Sequence, residues 1–196
     1  MHTELKSYIG GKGLADFLIT CRSAYTHSEL KFSSRYFGYS FSSTRRDDVN
    51  GARFKRILYS NPSLWETVSI PMTNDEEDLA FCVACRLCGM SPADVVRQME
   101  DGTVIIYGPE RVRYDLIGLL TFADDEPVRF NRSVLLKAIR PFLYGWARLI
   151  RPHPMRMWCS EAVAVVLRAS IGIPLEPEKQ SPSTLHDAVK KWLCSI

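Results

Sequence analysis

Residues 157–172 read MWCSEAVAVVLRASIG, and this stretch decides the fold. Pro152-His153-Pro154 interrupts the chain just before it, because proline fixes its own φ and removes a backbone donor. From Ser160 to Ser170 the sequence is apolar and Ala-rich, and Gly172 ends it. This predicts a buried helix of about three turns with Cys159 at its N-terminus. Unpaired N–H groups and the helix dipole favour negative charge there, which suits a thiolate. The same N–H groups can receive an oxyanion. A lone Cys at a helix start is more often a small core residue, so Cys159 becomes a candidate nucleophile only with an imidazole beside it.

Four histidines are available: His2, His27, His153 and His186. His2 lies in a terminal segment, His153 on the Pro-flanked loop, and His186 in a C-terminal helical stretch. His27 stands within Ser23–Ser33, a β-branched and aromatic run followed by a second such run, Tyr36–Thr44. These are two strands of a hairpin, and a strand is rigid enough to hold a catalytic base. A turn at Ser34-Arg35 sets His27 opposite Ser42 and Glu29 opposite Ser40. Glu29 shares a face with His27, so Glu29 or Ser42 is the candidate to orient the imidazole. A one-residue slip would change every partner.

The remaining chain divides into strands first and helices later. Asp16–Thr20 is an apolar run expected as a buried strand. Ala52–Tyr59 alternates apolar and basic residues, the pattern of a strand with one wet face, and Trp65–Ile70 is a fourth strand. Thr73 or Asn74 caps a helix to about Leu87, with Asp75, Glu76, Glu77 and Asp78 complementing its dipole. Ser91-Pro92 starts a short helix, Thr103–Tyr107 a strand, and helices are expected over 113–122, over 131–144 and from Ser181-Pro182 to about Trp192. This order predicts an α+β fold in one domain, 1–196, with an insertion around 91–110.

Composition sets limits. The chain has 196 residues, 46% of them hydrophobic, and a formal charge of +3, values of an ordinary globular domain that give no reason to expect specific nucleic-acid binding. No apolar run of membrane-spanning length occurs, and the first residues lack a secretory apolar core, so a protein retained in the producing cell is expected. The six cysteines are expected as thiols. Cys82, Cys85 and Cys88 spread around a helix without a fourth ligand, so they are read as packing residues and no metal or cofactor is expected. Gly10-Gly-Lys-Gly13 lacks the spacing of a phosphate loop. Residues 128–158 carry seven Lys or Arg and no acid, which reads as a solvated face or as a surface for an anionic substrate or partner.

Three islands carry a family likeness: Asp16-Phe-Leu-Ile, Tyr25-Thr-His27-Ser-Glu29-Leu, and Trp158-Cys159-Ser-Glu161-Ala-Val. Together they resemble the circularly permuted NlpC-type papain-like cysteine hydrolases, which include the YiiX-like proteins and, more distantly, the lecithin retinol acyltransferase-like enzymes. His precedes Cys here, which is the permuted order. The resemblance implies a small antiparallel sheet packed on the Cys-bearing helix and further helices. It makes Cys159 the nucleophile and His27 the base of a thiol peptidase or amidase acting on peptide, amide or lipid acyl groups, cell-wall peptides among them. The family's third polar residue lies on the strand after the His, where this chain has Ser40, Ser42 and Ser43, so Glu29 becomes the substitute. That departure keeps open an inactive scaffold with protein partners, such as a virion component. An acyltransferase is the further alternative. Phe41-Ser42-Ser43 resembles phage-encoded members, which implies a tailed phage or a bacterium as the source. The expected location is then the cytoplasm of the producing cell, or the virion.

Overall fold

The computed structural model describes residues 2–9, 24–45, 49–114 and 157–196. Six antiparallel strands form one sheet: β1 (Thr3–Tyr8), β2 (His27–Lys31), β3 (Ser40–Thr44), β4 (Gly51–Lys55), β5 (Trp65–Ile70) and β6 (Ile105–Ile106), in the order β5-β1-β2-β3-β4-β6. Among the described residues four α-helices accompany it: α1 (Asn74–Leu87), α2 (Pro92–Glu100), α3 (Cys159–Ile171) and α4 (Pro182–Leu193). This is the α+β architecture expected, with the Cys159 helix lying against β2 and β3.

Register explains the core. Leu5, Leu30, Phe41, Phe54 and Ile106 are successive cross-strand partners across five strands. They make one apolar row, because alternate residues of a strand point to one face. Phe81 of α1 closes on this row, with ring centroids 5.8 Å from Phe32 and 5.4 Å from Phe54. Ala162, Val163, Val166 and Leu167 of α3 are fully buried in the same core. Cys85 and Cys88 belong to it as well. Burial pushes the Cys85 thiol up to about 12 and the Cys88 thiol well above its ordinary value, so both are poor nucleophiles at neutral pH.

Local signals set the helix starts. Thr73 and Glu76 form a capping box at α1, Ser91 caps α2 with Pro92 in its first turn, and Ser181 caps α4. The acids that open α1 do more than answer the dipole. Glu77 is buried and accepts from Thr3 Oγ1 (3.0 Å), the Ser33 amide (2.8 Å) and Ser33 Oγ (2.9 Å). It thereby ties α1 to β1 and to the β2–β3 turn. Asp78 accepts from Tyr36 OH (2.6 Å) and pairs with Arg35 (2.8 Å).

Several expectations need revision. The strands of the hairpin are shorter than the runs that announced them, since a 3-10 turn at Ser34–Tyr36 and Phe37, at φ 55°, occupy the middle. β1 was not expected, and the expected Asp16–Thr20 strand lies outside the described residues. The third strand ends at Lys55, and the strand near 103–107 is only Ile105–Ile106, an edge partner of β4. Residues 91–110 add α2 and the two-residue strand β6 to the same sheet. Arg113 and Tyr114 are not helical, and the rest of that expected helix, like the one over 131–144, lies outside the described residues. Among the described residues no single helix is long and apolar enough to cross a membrane.

Glu77→Ala should lower unfolding stability by about 3 kcal/mol, because it strands buried donors that now bond a carboxylate. Asp75→Ala, at an exposed position of the same turn, should change it by only about 0.5 kcal/mol. Urea midpoints of the two variants test this, and equal shifts would show that Glu77 acts only through the helix dipole.

Candidate active site

The site begins with a fork in the sheet. The β2–β3 ladder has two rungs, Leu30↔Phe41 and Lys31↔Ser40. Beyond them β2 stays paired to β1 as far as His27, and β3 stays paired to β4 as far as Thr44. Continued, the register would pair Glu29 with Ser42 and then Ser28 with Ser43. Instead the Ser28 carbonyl accepts from Ser42 Oγ at 2.7 Å, and the Ser28 N–H donates to the Cys159 sulfur. Ser43 Oγ donates to the Met157 carbonyl at 2.8 Å. Buried backbone groups must find partners, and those of Ser28 released by the fork find them in the Ser42 hydroxyl and the Cys159 sulfur.

α3 starts differently from α1, α2 and α4. Its N-cap is Trp158, which makes no side-chain cap bond. The start is held from outside. The Met157 N–H donates to the Arg113 carbonyl (2.9 Å), while Trp158 Nε1 (3.0 Å) and Ser160 Oγ (2.5 Å) both donate to the Gln180 carbonyl. First-turn N–H groups of a helix have no intrahelical partner, and without a cap they remain for the sulfur and for an incoming oxygen. The Ser160 N–H already points at the Cys159 sulfur.

Cys159 and His27 are hydrogen-bonded side chain to side chain. His27 Nε2 bonds Glu29 Oε1 at 2.7 Å, which leaves Nδ1 for the sulfur. Arg53, from β4, grips Glu29 with two bonds, 2.9 Å to Oε2 and 2.6 Å to Oε1. The four side chains form one buried row: thiol, imidazole, carboxylate, guanidinium. Burial opposes charge on every member, yet each neighbour is of opposite sign. Burial pushes the Cys159 thiol up, but the charge of His27, the hydrogen bond to it, and the N–H groups of Ser28 and Ser160 together hold it below its ordinary value. Burial pulls His27 down, but the Cys159 and Glu29 charges and their hydrogen bonds raise it to about 9. Burial pushes Glu29 up, yet Arg53 first and then His27 hold it down to about 2. The favoured form is thiolate–imidazolium, with both charges compensated.

The structure thus brings Cys159, His27 and Glu29 together and leaves Ser42 apart. Extending the observed register puts Thr44, not Ser42, opposite His27, and Ser42 opposite Glu29. The 3-10 turn lengthens the connection and slips the pairing by two residues. Ser42 is therefore corrected from orienting residue to strand partner: its hydroxyl holds the fork through Ser28. Arg53 was missed. Its place in an alternating basic strand suggested a wet face, whereas the residue is 3% exposed. The signal was Glu29 itself, because an ionised acid in a buried strand needs a cation in reach. His186 is buried elsewhere, between Ser7 Oγ (2.9 Å) and Glu66 Oε1 (3.0 Å); His153 lies outside the described residues, as does most of the basic stretch.

No family model, no curated protein and no solved structure matches the chain. Among the described residues no group of side chains is arranged to hold a metal ion.

The ultraviolet absorbance of thiolate, taken as the difference between the protein and its Cys159→Ala variant, should show Cys159 ionised at neutral pH. It should be lost only as the pH falls through a value below the ordinary thiol range. A thiolate that first forms near pH 9, the ordinary thiol value, would contradict the ion pair.

Proposed function

We propose that the protein is a thiol hydrolase of the permuted papain-like kind, cleaving an amide or ester through an acyl-enzyme on Cys159. The observation that carries this reading is the hydrogen-bonded Cys159–His27 pair at an uncapped helix start, with Glu29 behind the imidazole. The chain order, His on a strand of an antiparallel sheet and Cys opening a later helix packed on it, is that of the permuted enzymes.

The chemistry follows from the geometry. The Cys159 thiolate attacks the substrate carbonyl carbon, and the carbonyl oxygen takes up the negative charge. First-turn N–H groups of α3, which no side chain caps, are the donors offered to that charge, and fixed dipoles of this kind are effective there. The His27 imidazolium then gives its proton to the leaving nitrogen or oxygen as the C–N or C–O bond breaks, leaving a thioester. Neutral His27 next takes a proton from water, the hydroxyl oxygen adds to the thioester carbon, and the C–S bond breaks. The thiolate and the imidazolium are regenerated. Throughout, Glu29 holds the ring and balances its charge without taking the proton. Another acceptor in place of water would make the same protein an acyltransferase. A substrate bearing carboxylate or phosphate suits the basic residues that precede Cys159 in sequence.

A second reading rests on a different observation: Cys159 is 1% exposed. A nucleophile that no substrate reaches belongs to a scaffold that keeps the fold and serves protein partners, as a virion component would.

An activated ester such as p-nitrophenyl acetate separates the two. The hydrolase reading expects a one-acetyl mass increase, mapped to Cys159, absent in Cys159→Ala and formed at least about 100-fold more slowly in His27→Ala. Ester turnover unchanged in Cys159→Ala would contradict it, and a protein that carries the thiolate but is never acylated by esters or amides would favour the scaffold.

A further inference from the structure

We propose that Arg53 is a positioning residue for the Cys159–His27 pair, acting through Glu29 and touching neither member of the pair itself. This rests on the thiol reading above and extends it to a fourth side chain, from another strand.

The geometry is the first argument. Arg53 stands on β4 and Glu29 on β2, with β3 between them. The β3 residue in line is Ser42, the register partner of Arg53. A serine there is short enough for the arginine to pass over. At 2.6 Å and 2.9 Å the guanidinium bonds both carboxylate oxygens, a fork that fixes the plane of the carboxylate. Oε1 is shared between Arg53 and His27 Nε2. The direction in which Glu29 presents that oxygen is therefore set by Arg53.

Charge is the second argument. Glu29 is 1% exposed, and an unpaired buried carboxylate takes up a proton. Protonated, it would no longer favour an imidazolium, and the pair would revert to thiol and neutral imidazole. On this face Lys6 and Lys31 both bond Glu4, at 3.0 Å and 2.9 Å. Tyr59, bonded to Ser40 at 2.6 Å, remains a neutral phenol, because burial and then the Glu29 charge raise its pKa. Among the described residues the charges that hold Glu29 down are those of Arg53 and His27, and Arg53 stands on the side away from the thiol.

Among the described residues Arg53 Nε, though buried, has no partner, and a buried ion pair is often no more stable than apolar residues of similar size. An arrangement that leaves a buried donor unmet is poorly explained by stability. It is well explained by the need to keep Glu29 ionised.

Thiolate absorbance against pH tests this in wild type, Arg53→Met, Arg53→Lys, Glu29→Gln and the Glu29→Gln/Arg53→Met double variant. The double leaves no buried charge unpaired, so it serves if a single variant fails to fold. Arg53→Met should cut the Cys159 thiolate fraction at neutral pH at least about tenfold, which corresponds to about 1.4 kcal/mol. Arg53→Lys, with one charge but no fork, should recover much of the loss. The double should match Glu29→Gln, since Arg53 has no other route to the pair. A wild-type thiolate fraction in Arg53→Met or in the double would overturn the proposal, as would a double variant that loses more than Glu29→Gln. Absence of thiolate in the wild type would instead overturn the thiol reading on which the proposal stands.

Discussion

The site depends on a run of alternating charges buried between strands and helix: Cys159, His27, Glu29 and Arg53. Burial opposes charge on each of the four, and the thiol, the imidazole and the carboxylate hold theirs only beside a neighbour of opposite sign. Each is held by its neighbour, and the row sums to zero charge. Such a row is sensitive at every link, because removing one member leaves the next uncompensated where water cannot help. It also explains how a thiol 1% exposed can be ionised at all.

The sheet is shaped to receive that row. Where β2 and β3 part, the backbone groups of Ser28 turn to the Cys159 sulfur and to Ser42, and the start of α3 fills the opening. The fork does two things together. It supplies an N–H donor to the sulfur, and it sets α3 close enough to β2 for His27 to reach Cys159. The missing cap at Trp158 belongs to the same logic. A serine or threonine there would compete for first-turn N–H groups, of which that of Ser160 meets the sulfur. The bonds to Arg113, Ser43 and Gln180 hold the helix start in its place.

Much of this was legible in the chain, and what was not has definite causes. The helices that begin at Thr73, Ser91-Pro92 and Ser181-Pro182 announce themselves by local chemistry, and so does the stop at Gly172, in the left-handed region at φ 68°. The likeness of the Cys159 and His27 islands to permuted thiol hydrolases pointed to a pair that the fold brings into hydrogen-bond contact. Register was not legible, because it turns on Phe37 at φ 55°, a backbone state that few residues other than glycine adopt. A slip of two residues preserves faces, so Glu29 stayed beside His27, but it moved Ser42 away from the ring. β1 escaped notice because only Leu5 among its six residues is aliphatic and buried; its polar side chains meet protein partners. Arg53 escaped for a similar reason. Alternating basic residues look like a wetted face until an acid two strands away is placed against them.

The central claim is that His27 carries a proton on both ring nitrogens because a thiolate and a carboxylate flank it. Nitrogen NMR of the imidazole, followed with pH, tests this most directly. The account predicts a doubly protonated His27 ring at neutral pH that loses its proton only near pH 9, well above the ordinary histidine value of 6.5. It also predicts that Cys159→Ala, which removes the negative partner on one side, lowers that midpoint. A His27 ring that is neutral at pH 7 and titrates at the ordinary value, unmoved by Cys159→Ala, would contradict it.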